Sequence, residues 1–126
     1  FGRANLTDAI LTGATGNAAN FTGATLKRTN LNDVNMNDAD LTDAVLTRAK
    51  MRDADLQGAK FSGADCQLAD FTGANLTGAY FDGAELGSAD FTDAVLTGAY
   101  FGLAKATVNT KWPAGFSPAA EGVIID

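Results

Sequence analysis

Apolar positions recur along this chain at every fifth residue. Ala stands at Ala4, Ala9, Ala14, Ala19 and Ala24 and keeps returning as far as Ala104, with Thr29 and Val34 in its place once each. Two residues after each comes a larger apolar side chain, from Leu6 and Leu11 through Met36 to Phe101; Gly16, Cys66 and Ala106 are the exceptions. A period of five matches neither the 3.6 of a helix nor the 2 of a flat strand, so neither would keep these residues on one side. A solenoid does, because each repeat buries its apolar pair against the neighbouring coil.

Each unit reads Ala, then Asn or Asp, then Leu or Phe, then Thr or Ser, then a small or charged residue, as in Asn5-Leu6-Thr7, Asp40-Leu41-Thr42 and Asn75-Leu76-Thr77. Ala and the large residue, two apart, point to one side of an extended segment. The chain must then turn before the next pair, and four such units close a square coil of about twenty residues. Gly13, Gly23, Gly58, Gly63, Gly73, Gly78, Gly83 and Gly98 stand at the corners, interspersed with Asp8, Asp33, Asp38, Asp43, Asp53 and Asp93. Both residue types suit turns.

Sorting by face gives four inward columns. One reads Phe1, Phe21, Leu41, Phe61, Phe81, Phe101, and a second Leu6, Leu26, Leu46, Cys66, Leu86, Ala106. The third reads Leu11, Leu31, Met51, Phe71, Phe91, and the fourth Gly16, Met36, Leu56, Leu76, Leu96. The Ala positions are expected to leave no room for a larger residue, so the interior is predicted to be filled, without a ligand cavity.

These tandem units resemble the pentapeptide-repeat family, whose motif is Ala-(Asp/Asn)-Leu-X-X. The resemblance covers residues 1 to about 108. It implies an all-β fold, a right-handed quadrilateral parallel β-helix with four units per coil. About five coils stacked at about 4.8 Å would make a rod of roughly 25 Å. The expected division is a β-helix over 1–108 and a C-terminal capping tail over 109–126. Trp112 and Phe116 read as a lid on the last coil, because an open solenoid end invites aggregation. Ser117-Pro118 reads as an N-cap and first helical position, opening a short turn through Ala119, Ala120 and Glu121 that Gly122 stops. The run Lys111-Trp112-Pro113-Ala114-Gly115-Phe116 resembles tails that follow the repeats in cyanobacterial and chloroplast-lumen members.

Phe1 falls at the large apolar position without an Ala or polar partner before it, so the natural chain is expected to begin earlier. A removed leader would place the protein in a periplasm or thylakoid lumen; otherwise the cytoplasm is expected. No apolar run reaches the roughly 18–20 residues that span a bilayer, so no membrane insertion is expected. A net charge of −6 argues against direct nucleic-acid binding and suits a basic protein partner.

The chain has no His, which removes the commonest general base and metal ligand. Its glycines serve corners and no phosphate-loop Gly-Lys-Thr follows one. Threonine ladders such as Thr7/Thr47, Thr72/Thr92 and Thr77/Thr97 are expected to pair hydroxyls across strands. The single Cys66 sits at an inward position and is expected to be inert core. Asp33, Asp53, Asp70, Asp90 and Asp93 gather on one face, offset by Lys50 and Arg52. Asp70 beneath Asp90 is expected to raise a pKa or attract a cation, giving an acidic docking face or a weak Ca²⁺ contact. The other reading is that these carboxylates bind local backbone donors at turns. Lys27, Arg28, Arg48 and Lys105 make the next face slightly basic. Lys60, Tyr80 and Tyr100 form an outward ladder beside Leu103, a candidate protein-contact patch or ordinary stacking along a sheet.

The reading that best fits is a non-enzymatic structural or binding protein, a rigid scaffold for an unknown protein partner, without a cofactor. The alternative implied by the family is an acidic mimic of duplex DNA that modulates DNA gyrase or another type II topoisomerase. A cation-binding or metal-assisted carboxylate site on the acidic face comes third. The protein is expected to be a monomer or a weak end-to-end dimer.

Overall fold

The computed structural model describes residues 1–126. Asn5 pairs with Thr25, Thr25 with Val45, Val45 with Asp65, Asp65 with Glu85 and Glu85 with Lys105, all in parallel. Each step advances the chain by twenty residues, and three further ladders begin at Ile10, Thr15 and Asn20. Four stacked sheet faces therefore follow from four pentapeptides per turn. Up to the last coil only one residue of each unit, the one after the small position, belongs to a ladder, because the corner follows at once. Leu26 donates its N–H to the Val45 carbonyl at 2.7 Å, and Val45 returns a bond to Ala24 at 2.9 Å.

The corner is a four-residue turn. Ala24 donates to the Phe21 carbonyl at 2.9 Å, and Gly23 between them has φ +66°. Positive φ at the third position alone defines a type II turn, which Gly favours. The same backbone is imposed on Asp8 and Asp53 and also on Arg28, Arg48, Leu68, Ser88 and Leu103. Those bulkier corners fall outside the Gly and Asp pattern that marks turns in the sequence. Stacking on the coils above and below decides the conformation there, against an intrinsic cost of about 1–2 kcal/mol per residue. Gly73 has a further reason to be glycine, since a Cβ there would collide with the Asp53 carboxylate in the coil beneath.

The polar residue of each unit supports the turn. Asn20 Oδ1 accepts the Thr22 N–H at 2.9 Å, and Asp70 Oδ1 accepts the Thr72 N–H at 2.9 Å. Three threonine hydroxyls bond the side-chain oxygen of their own unit as well, Thr7 to Asn5 at 2.7 Å, Thr77 to Asn75 at 2.6 Å and Thr92 to Asp90 at 2.6 Å. These bonds within a unit correct the expectation of hydroxyl pairing between coils: a carboxylate or amide oxygen two residues away is the stronger acceptor.

Inside, Phe61, Phe71, Phe81, Phe91 and Phe101 are fully buried. Phe61 and Phe81 stack at 4.7 Å, Phe71 and Phe91 at 4.9 Å, and the two columns meet edge to face at 5.6 to 6.1 Å. Full burial of each large side chain stabilises the rod by about 1.5–3 kcal/mol. The small column is less strict than expected. Thr29 and Val34 are buried in it; Thr29 Oγ1 donates to the Leu6 carbonyl at 2.8 Å. Val34 is accommodated by stretching the turn bonds at Val34 and at Ala54 above it to 3.4 Å each, against 3.0 Å at Ala44.

The two ends differ. At the N-terminal end, Gly16 leaves an apolar recess of about 150 Å³ lined by Phe1, Leu6, Leu11 and Met36, which corrects the expectation of a core filled throughout. At the other end the unit from Ala106 to Thr110 carries one extra residue, so Asp90 pairs with Lys111, twenty-one positions on. Thr110 Oγ1 then donates to the Leu86 carbonyl at 2.8 Å, repeating the arrangement at Thr29. Trp112 lies flat on Phe91 at 5.1 Å and Phe116 on Trp112 at 5.0 Å. A single 3₁₀ turn, Ala119–Glu121, follows Pro118 and ends at Gly122 with φ 84°. Pro118, not Ser117, is its N-cap, with no side-chain capping bond. The chain then returns, and β2 (Ile124–Ile125) pairs in parallel with β1 (Lys105–Ala106).

Candidate interaction surfaces

Lys60, Tyr80 and Tyr100 are successive rungs of one ladder, so their side chains leave the same face in register. Tyr80 is 46% exposed, Tyr100 57% and the neighbouring Leu103 69%. The Tyr100 ring folds over Gly102 so closely that any Cβ there would strike it. Leu103 projects from a corner at φ +60°. An ammonium and two phenols thus leave one sheet face in register, with the Leu103 isobutyl group at the adjoining corner. Aromatic residues of this kind are enriched at protein interfaces.

On the acidic face, Asp70 and Asp90 are paired rungs, but cations stand among them. Arg52 Nε lies 3.6 Å from Asp70 and Lys111 Nζ 4.0 Å from Asp90. At Asp90 burial pushes the pKa up. The hydrogen bonds of Thr92 and the charges of Lys111 and Arg52 outweigh it and hold the carboxyl below its ordinary range. This reverses the expected rise, because donors and cations reach the carboxylate more closely than its acidic neighbour repels it. Asp33, Asp53 and Asp93 stay at left-handed corners. No three His, Cys, Asp or Glu side chains converge as a metal ion would require.

Hydrogen bonds from Thr42 lower Asp40 in the same way, and the Arg28 bond lowers Asp8. A carboxyl with a depressed folded pKa gives stability that is present above its unfolded value, here 3.8, and is lost as pH falls through the folded value. The melting temperature should therefore be flat from neutral pH to about pH 5 and fall below about pH 4. Thermal melts followed by circular dichroism across that range test the sign; a rise on acidification contradicts it.

The basic patch is partly neutralised too. Arg28 makes a two-pronged bond to Asp8, at 2.7 and 3.0 Å, between adjacent coils, and Lys105 lies 3.6 Å from Glu85. Cys66 is wholly buried, and that burial, with the Asp65 charge, pushes its thiol far up, so the reactive thiolate is suppressed. Native protein should fail to react with a disulfide reagent such as Ellman's, whereas guanidinium-unfolded protein should titrate as one thiol per chain. Rapid reaction of the native form would show that the shaft opens.

One feature escaped the sequence pattern. Between the Ala94–Ala99 segment of the last coil and Pro113–Phe116 lies an open cleft of about 560 Å³. The extra residue before Thr110 was its sole signal, since it throws the following chain off the ladder.

A family model for pentapeptide repeats matches residues 1–38 and 39–78, and a second matches residues 61–105. With the ladders described above, these matches settle the class: the chain belongs to the pentapeptide-repeat family. No curated protein matches this chain. Among solved structures, HetL is similar. It is a pentapeptide-repeat protein involved in heterocyst differentiation regulation in the cyanobacterium Nostoc sp. strain PCC 7120. The two are 27% identical with a TM-score of 0.81, over 98% of this chain and 60% of HetL, so the chain spans less than two thirds of that relative. A pentapeptide-repeat protein of the Arabidopsis thaliana thylakoid lumen is 31% identical, with a TM-score of 0.52 over 75% of this chain and 66% of its own. QnrB1, a plasmid-mediated fluoroquinolone resistance protein, shares the fold at 16% identity, with a TM-score of 0.65 over all of this chain and 86% of its own.

Proposed function

We propose that this protein is a non-enzymatic scaffold whose rigid face presents Lys60, Tyr80, Tyr100 and Leu103 to a protein partner. The observation that carries the reading is the exposure of two tyrosines that stand on neighbouring coils of one ladder. The groups with chemistry to offer are engaged elsewhere: Asp8 with Arg28, Asp70 with Arg52, Asp90 with Lys111, and Cys66 within the core. In this reading the rod is a right-handed quadrilateral β-helix of about five coils, and Trp112 and Phe116 close its end. HetL's part in a regulatory process is consistent with a scaffold of this kind. Affinity capture from source extract tests it, with Tyr80→Ser/Tyr100→Ser as the comparison. The double variant should lose the captured partner while keeping its melting temperature within a few degrees; equal capture would reject the patch.

A second reading, an acidic mimic of duplex DNA acting on a type II topoisomerase, draws on the net charge of −6 and the carboxylates of the acidic face. The Arg52 and Lys111 side chains among those carboxylates count against it. A gyrase supercoiling assay separates the two readings, since a mimic must inhibit or protect the enzyme and a scaffold for another partner need not.

A further inference from the structure

The tail covers the last coil unevenly. Lys111 pairs over Asp90 and Ile124 over Lys105, and Leu103 donates to the Gly122 carbonyl at 3.2 Å. Between these points the chain crosses from Trp112 to Gly122 without joining the ladder, so the Ala94–Ala99 segment ends as a bare sheet edge. One coil lower the equivalent groups are all paired: Val95 donates to Ala74, while Leu76 and Gly78 donate to Val95 and Thr97. In the last coil the Ala94 carbonyl and the Leu96 and Gly98 N–H groups have no protein partner. They line the cleft beneath Pro113–Phe116.

We infer that this cleft is a β-addition site for an extended, lysine- or arginine-bearing peptide segment of a partner protein. The arrangement of free groups specifies the ligand's backbone. Continuing the ladder requires a strand parallel to Ala94–Ala99, in which one residue both donates to Ala94 and accepts from Leu96. The carbonyl two residues further on accepts from Gly98. Main-chain bonds of this kind give affinity and alternate side chains give specificity. The residue between those two carbonyls would point inward over Leu96, extending the column Met36, Leu56, Leu76, Leu96, so an aliphatic side chain belongs there. The cleft volume falls within the range of about 300–1,000 Å³ typical of small-ligand sites. Glu121 is the charged residue in its lining and no cation stands there; Glu121 makes no salt bridge. A basic flank on the peptide therefore complements it. The site lies on a different face from the tyrosine ladder and does not depend on it.

The probe is the capped peptide KAVLTGA, which carries the chain's own 94–99 pattern behind a lysine. The readout is the fluorescence of Trp112, which stacks on the cleft-lining Phe116. A saturable change is expected with the intact protein. N-methylation at the peptide's valine removes the bond to Ala94 and should weaken binding by about tenfold or more. N-methylation at its leucine, whose N–H would point along the rod away from Ala94–Ala99, as the Leu76 N–H points from its own coil to Val95, should change binding by less than about twofold. The peptide EAVLTGA should bind several-fold more weakly, and Glu121→Gln should remove that preference. Absence of saturable binding, or equal weakening by the two methylations, overturns the inference. So does concentration-dependent dimerisation that the peptide reverses, because the cleft would then belong to a second copy.

Discussion

Replacing Phe81 by Ala should lower unfolding stability by about 3–5 kcal/mol, at the upper end for a core truncation. Phe81 is fully buried and meets four other rings: Phe61 and Phe101 by stacking at 4.7 and 5.0 Å, and Phe71 and Phe91 edge to face at 5.7 and 5.6 Å. The void cannot close, because the Phe81 backbone is bonded to Tyr100 and its neighbour Tyr80 to Ala59. A solenoid's stability is a sum of repeat and nearest-neighbour terms, so a defect in mid-rod also uncouples the coils on either side. Guanidinium titration followed by circular dichroism should show a lower midpoint and a broadened transition. Phe81→Leu, which keeps most of the apolar volume, should cost less than about 1.5 kcal/mol. Phe1→Ala should cost less than about 1 kcal/mol, since Phe1 is 72% exposed at the open end. Equal losses at Phe81 and Phe1 would mean that the aromatic columns do not support the rod.

The fold was legible because one rule is repeated in register. Ala and a large apolar residue two apart specify an extended segment, and a turn every five residues specifies the stack. Even the offset of twenty between Lys60, Tyr80 and Tyr100 can be read this way. What escaped the pattern depends on contacts between coils. Arg28, Arg48 and Leu68 adopt left-handed corners that their own preferences oppose, since the coils around them leave no other path. Val34 fits a small site because two turn bonds stretch. The sign of the Asp90 shift was missed because charge spacing along a ladder says nothing about the donors supplied by Thr92 or the reach of Arg52 and Lys111. The bare edge at Ala94–Ala99 arises from one extra residue near Thr110, and periodicity cannot foretell where a chain goes once its register is lost.

Trp112→Ala should have the second-largest effect, through the end of the rod. Trp112 stacks on Phe91 at 5.1 Å, meets Phe101 edge to face at 5.6 Å and carries Phe116 at 5.0 Å. Removing the indole uncovers the tops of two aromatic columns and frees Phe116 from its support. The loss of burial should cost about 2–4 kcal/mol, less than at Phe81 because Trp112 already touches solvent. The kinetic consequence is larger than the thermodynamic one. Phe91 and Phe101 would face water beside the unpaired groups of Leu96 and Gly98, and an apolar surface next to an open sheet edge is a template for association. The variant should therefore melt lower and scatter light during heating at concentrations where the parent stays clear. Trp112→Phe keeps a ring over Phe91 and should recover most of the loss. If Trp112→Ala melts with the parent and sediments as the parent does, the tail does not close the rod.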